Sequence, residues 1–332
     1  MKIDIHTHII PAEMPDWTKK FSYGGFIHLD HYRTGCARMM VDDKFFREIK
    51  SNAWDPEVRI RECNRHHVDA QVLSTIPVMF NYWARPKDCL EVSKFLNDHI
   101  TKVIYQFPER FYGVGTVPMQ DVDLACSELE RCMKELKLNG IQIGSNVNKE
   151  NLSEKKFFPF WQLAEKLNAC IFVHPWEMMG REQIPEYWLP WLVAMPAETS
   201  RAICSLLFGG VFEKFKNLRF AFAHGGGSFP ATMGRIAHGF EMRPDLVASD
   251  NPVNPRDYIG KFYLDTLVHD PLALDYLIKL WGNEKLCMGS DYPFPLGEQE
   301  PGELIESMNM DPGTKENLLS TNALQWLFGR GA

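Results

Sequence analysis

Hydrophobic and polar positions divide this chain into short strand-like runs and longer stretches of helical period. The first run alternates apolar and polar residues and later ones are largely apolar; strands are read at 1–8, 69–74, 112–117, 141–145, 169–174, 218–224, 261–265 and 285–290. Between them apolar residues recur at helical spacing, predicting helices near 55–67, 88–106, 125–136, 158–167, 197–208, 228–240, 271–281 and 316–327. Asp55-Pro56 reads as an N-cap followed by a first-turn proline. His99 falls on the stripe of Val92, Phe95, Leu96, Ile100 and Val103, which makes it a packed histidine. Strand and helix alternate about eight times, so the strands should be parallel with helices outside. The expected fold is α/β, a (β/α)8 TIM-like barrel forming one domain over 1–332. Two segments show no clear period. The stretch 9–54 is expected to be an insertion after the first strand that covers the mouth of a site, and 175–196 a second lid.

Four strand runs share an unusual ending. The first closes in His6-Thr7-His8, and residues two apart in a strand face the same side. Others finish in His174, His224 and Asp291, each soon followed by Gly or Pro. In a (β/α)8 barrel the C-terminal ends of the strands carry the active site. His6, His8, His174 and Asp291 therefore form a candidate metal set of three nitrogens and a carboxylate. Zinc suits this mixture, and iron, manganese or cobalt would also accept it. No strand run ends in lysine, so no bridging carboxylated lysine is expected and one metal is favoured. His224 is assigned as general base, with a fifth ligand as the alternative. The glycines at 225–227 serve either a close backbone approach to a ligand or a tight turn. Arg47 and Arg235 offer paired hydrogen bonds to carboxylates, against a surface role for each. Trp191 and Phe294 could cover a flat conjugated substrate or simply pack.

Composition narrows the function class. Hydrophobic residues make up 45% of the 332, enough for a sizeable core and against disorder. The net charge of −7 lacks the basic field of a nucleic-acid binder. No apolar run approaches the ~20 residues that span a bilayer. The eight cysteines are scattered, and the chain enters a strand without a signal-like region, so reduced thiols and a cytosolic protein are expected.

The strings IDIHTHI, VDAQVLSTIPVMF, IFVHPWEMMG, YWLPWLVAMPAET, FAHGGGSFP and GSDYPFPLGEQEPG resemble a family of zinc-dependent decarboxylases in the amidohydrolase superfamily. The likeness runs from Met1 to the last helix. It implies a small dicarboxylate semialdehyde substrate from tryptophan (kynurenine) catabolism, whose decarboxylation limits quinolinate and NAD synthesis. It also implies one Zn2+ per subunit at His6, His8, His174 and Asp291, catalysis by His224, and substrate carboxylates at Arg47 and Arg235. Trp191 is implied as a pocket residue, and Arg235 as supplied across the interface of a homodimer. Competing readings are a lactone or amide hydrolase using the same metal site, and a non-catalytic barrel that binds no metal.

Overall fold

The alternating runs assemble into one parallel sheet. The computed structural model describes residues 1–329, and residues 330–332 of the expected domain lie outside them. In chain order the strands are β1 (Ile3–Ile9), β2 (Ile27–Arg33), β3 (Cys36–Val41), β4 (Lys44–Lys50), β5 (Ala70–Thr75), β6 (Phe111–Gly115) and β7 (Gly140–Gly144). A short pair, β8 (Asn146–Val147) and β9 (Glu150–Asn151), is followed by β10 (Cys170–His174), β11 (Arg219–Phe222), β12 (Tyr263–Asp265) and β13 (Leu286–Cys287). The eight-stranded sheet runs β1-β5-β6-β7-β10-β11-β12-β13. Its two ends meet. The Ile5 amide donates to the Met288 carbonyl at 3.0 Å, the Asp291 amide to the His6 carbonyl at 2.8 Å, and the His8 amide to the Tyr292 carbonyl at 2.8 Å. The seam closes a (β/α)8 barrel, as the alternation of elements predicts.

Side-chain alternation divides the core into two layers. Leu73, Ile141, Ile143, Val173, Phe220, Phe222 and Leu264 pack outward against helix residues such as Leu129, Ile203 and Leu277. A second set of strand residues, Val72, Val114, Phe172, Ala221, Tyr263 and Cys287, packs together as its own cluster, and Trp326 and Leu327 of the helix Asn322–Phe328 join it. His174 follows Phe172 at a spacing of two, so it belongs to the inward set. Local chemistry matches the expected helix starts. The Asp55 carboxylate accepts from the amides of Glu57 at 2.9 Å and Val58 at 3.2 Å, at the head of the helix Pro56–Arg65.

The insertion differs from its expectation. Residues 9–54 are not irregular: they hold the short helix Trp17–Phe21 and an antiparallel sheet in the order β2-β3-β4. Ile27, Ala37, Met39 and Ile49 bury one face of that sheet with Trp17 and Phe294. The other face is largely exposed, and its histidines and charges blur the period. Within 175–196 the chain forms one π-helical turn, Pro190–Ala194, which runs directly into the helix Met195–Phe208. All eight cysteines are free.

His99 is half-buried on the helix Pro86–Gln106, and its Nε2 is enclosed without a hydrogen-bond partner. Burial, helped by the charges of Lys102 and Arg59, pushes its pKa down from 6.5 to about 4. Above pH 6.5 the ring is neutral both folded and unfolded. Below that value the unfolded chain takes up a proton that the folded one refuses, so stability falls until about pH 4, by up to roughly 3 kcal/mol at about 1.4 kcal/mol per pH unit. In metal-free protein, His99→Gln should shrink the drop in urea midpoint between pH 7 and pH 4.5. An unchanged drop would show that this histidine is not the source.

Candidate metal centre

β1 is buried along its whole length, and its alternation turns His6 and His8 to one side at its C-terminal end. His174 ends β10, and Asp291 follows β13 across the closing seam. One ligand atom from each of these four residues lies within 4.8 Å of every other. Asp291 Oδ1 is 3.0 Å from His8 Nε2 and 3.4 Å from His6 Nε2. The far nitrogen of each ring is already engaged. His8 Nδ1 donates to the Thr75 carbonyl at 3.0 Å, His174 Nδ1 to the Pro175 carbonyl at 3.0 Å, and His6 Nδ1 meets Asp265 Oδ2 at 2.7 Å. A carbonyl oxygen only accepts, so the proton of His8 and of His174 sits on Nδ1 and the Nε2 lone pair is left bare.

Nε2 of all three rings and Oδ1 of Asp291 are buried without a hydrogen-bond partner. Leaving a buried polar atom unsatisfied costs about 1–3 kcal/mol each. One cation shared among the four would offset that cost, and three nitrogens with one carboxylate oxygen fit a divalent transition metal. Electrostatics agree. Burial, and then the neighbouring His8, His224 and His6, hold His174 well below its ordinary pKa. Burial also lowers His8. Burial works to raise Asp291, but the rings of His224 and His8 beside its oxygens and the charge of His6 outweigh it and keep the carboxylate well below its usual range. His6 moves the other way: burial works to lower its pKa, but its bond to Asp265 and the charges of Asp291, Asp265 and Asp4 outweigh it and raise it. A cation would take the place of that ring's second proton, and the neutral His8 and His174 beside an ionised Asp291 already have the protonation state that metal binding requires.

His224 stands beside this cluster. Its ring centroid is 5.1 Å from those of His6 and His174, and its Nε2 is 3.8 Å from Asp291 Oδ2. Asp265, the last residue of β12, holds it there. One carboxylate oxygen accepts from the His224 amide at 2.9 Å while bonded to His6 Nδ1, and the other accepts from the Gly225 amide at 2.7 Å. His224 and the three glycines after it all have positive φ. A Cβ on Gly227 would lie 2.2 Å from the Pro196 carbonyl oxygen. The glycines therefore serve the tight turn.

A cavity opens onto the cluster, with His8, His174 and Asp291 in its floor. Phe46, Arg47, Trp176, Trp191 and Phe294 contribute to its walls. Arg47 lies with its guanidinium 4.6 Å over the Phe294 ring and 5.9 Å from that of Phe46. Burial lowers its pKa and Asp291 opposes the shift, yet a guanidinium stays charged. Arg235 is different: it is exposed on the helix Phe229–Met242, and it is not among the residues that line the cavity.

A sequence profile described as Amidohydrolase matches residues 3–329. The chain belongs to the amidohydrolase family. The 2-amino-3-carboxymuconate-6-semialdehyde decarboxylase of Dictyostelium discoideum is 58% identical over 328 residues, spanning 98% of this chain and 91% of that one. The protein of the same name from Caenorhabditis elegans is 38% identical, spanning 98% and 94%. A solved 5-carboxyvanillate decarboxylase from Novosphingobium aromaticivorans, complexed with manganese, superposes with a TM-score of 0.82 over 98% of this chain and 96% of its own, at 19% identity. That last likeness is one of fold.

Sequence reasoning passed over one residue of this amidohydrolase's centre. The run 261–265 ends in an aspartate just as 285–290 leads to Asp291, yet no role was attached to Asp265. The signal was its place at a strand's end. Gly289 shows how tightly the pair it forms is seated, since a Cβ there would lie 2.8 Å from Asp265 Cβ and 2.9 Å from His6 Cβ. Asp265→Ala should weaken metal binding by about ten- to a hundredfold, the usual effect of losing a carboxylate that orients a ligand histidine. Titration with Zn2+ against a chromophoric chelator measures this, and affinity within threefold of wild type would exclude the role.

Proposed function

We infer that this amidohydrolase removes carbon dioxide, without oxidation, from 2-amino-3-carboxymuconate 6-semialdehyde, leaving 2-aminomuconate 6-semialdehyde. The observation that carries this reading is the guanidinium of Arg47, without an ion-pair partner among the described residues, in an aromatic-walled cavity opening onto the ligand cluster, in a chain 58% identical to a decarboxylase of that name. A flat conjugated chain bearing carboxylates matches such walls, and Arg47 offers its paired donors to one carboxylate. His6, His8, His174 and Asp291 would hold a divalent ion, which would supply Lewis acidity and lower the pKa of a nearby water towards neutral. His224 would take a proton from that water and deliver it to the carbon that bears the carboxylate, while the hydroxide so formed adds to the neighbouring carbon of the double bond; loss of carbon dioxide, with departure of that hydroxide, restores the double bond.

The finer assignments belong to the same proposal. Zinc, one per subunit, is supported by the nitrogen-rich ligand set. Arg235 is proposed to bind a second substrate carboxylate from the neighbouring subunit of a homodimer, a reading supported by its exposure away from its own cavity. The reaction would divert tryptophan catabolism (the kynurenine route) from quinolinate and so limit NAD synthesis. A cytosolic location is supported by the free thiols, and no helix among the described residues is long and apolar enough to cross a membrane.

Purified protein should contain about one equivalent of zinc and convert the semialdehyde with release of carbon dioxide, and a chelator should abolish both. A chelator-insensitive protein, or lactone opening without carbon dioxide, would overturn the assignment. His224→Ala should keep its metal and lose about 10²–10⁴-fold in turnover, the range expected for a lost general base. Full activity would remove His224 from the mechanism. Mixing inactive His224→Ala chains with inactive Arg235→Ala chains should restore part of the activity. In a mixed dimer, one pocket keeps its own His224 and receives an intact Arg235 from its partner. No recovery in proven mixed dimers would contradict the shared site.

A further inference from the structure

Arg59 is fully buried, and no carboxylate pairs with it among the described residues. Asp4 and Glu62 act on it only through space. Its Nε has no hydrogen-bond partner. An isolated buried cation is among the most expensive groups a fold can keep, and an apolar side chain of similar volume is usually tolerated better in such a place. Its contacts show what the charge serves. Nη2 donates to the backbone carbonyl of His8, and Nη1 donates to Gln71 Oε1 at 3.1 Å. The guanidinium lies 4.7 Å over the ring of Tyr292, the residue after Asp291. The His8 amide in turn donates to the Tyr292 carbonyl at 2.8 Å. One turn further along the same helix, Glu62 accepts the Tyr292 hydroxyl and is itself held by Asn52 Nδ2 at 3.0 Å. These contacts form a closed triangle across the barrel seam: Arg59 to His8, His8 to Tyr292, and Tyr292 back to Arg59.

We propose that Arg59 is a positioning residue of the metal centre, its guanidinium joining His8 to Tyr292 so that the segments presenting His8 and Asp291 keep one fixed separation. Arginine suits this task because one planar group donates within its plane while stacking through its face. Lysine cannot do both at once. The inference rests on the metal-centre reading above, but not on the identity of the substrate.

Full-length Arg59→Lys and Arg59→Met test it by titration with Zn2+ and with Co2+ against a chromophoric chelator, alongside the visible spectrum of the Co2+ form. Both variants should bind ten- to a hundredfold more weakly, with an altered Co2+ spectrum, while their metal-free melting temperatures stay near that of wild type. Affinity within threefold and an unchanged spectrum would overturn the proposal. So would a loss of melting temperature that is equal with and without metal, which marks a purely structural residue. If the Arg59 variants do not fold, Tyr292→Leu removes the stacked ring instead. It should weaken metal binding likewise, and wild-type affinity in that variant would also overturn the proposal. Wild-type protein that binds neither ion would sink the metal centre itself, and this inference with it.

Discussion

The seam between β1 and β13 is the constraint on which the molecule depends. Three backbone hydrogen bonds there join the start of the chain to a segment nearly at its end, and two of the three involve a ligand histidine's own backbone. The Asp291 amide is held by the His6 carbonyl, and the His8 amide holds the Tyr292 carbonyl. Closing the barrel and assembling three of the four candidate ligands are therefore one event. A barrel open at this seam would keep most of its core but would have no metal centre.

Around the seam the fold supplies what bare ligands lack. Each ring is oriented by a bond to its far nitrogen, from a carboxylate for His6 and from backbone carbonyls for His8 and His174. Asp265 links the metal set to His224 through a single carboxylate. Two residues of the centre also carry backbone strain. His224 and Asp291 both sit in the left-handed region, at φ 57 and φ 58, a conformation that residues other than glycine adopt rarely and at some cost. Surrounding hydrogen bonds hold them there, and the result is that both side chains face the common point.

Most of the fold was legible because barrel strands are buried on both faces and helices on one, which leaves short apolar runs alternating with stretches of helical period. The candidate ligands were legible for a related reason: each ends an apolar run, where a polar side chain needs explaining. The small sheet of the insertion was not. Its strands β2 to β4 are half exposed, and the alternation breaks after a few residues, at Asp30-His31 in β2 and at Phe45-Phe46 in β4. Arg59 was invisible in the same way. It stands in a helix with other charged residues, and nothing in its spacing distinguishes it from a solvated neighbour.

By itself, then, the sequence determined the succession of strands and helices, the barrel class, and which residue types stand at the strand ends. Those properties follow from local periodicity and from the chemistry of single side chains. Only the tertiary structure decided that Nε2 rather than Nδ1 faces the shared point, that Asp265 orients two histidines at once, that Arg47 turns into its own cavity while Arg235 does not, and that a buried guanidinium spans the seam. These are relations between atoms far apart in the chain. Distance, direction and burial arise only when the barrel closes.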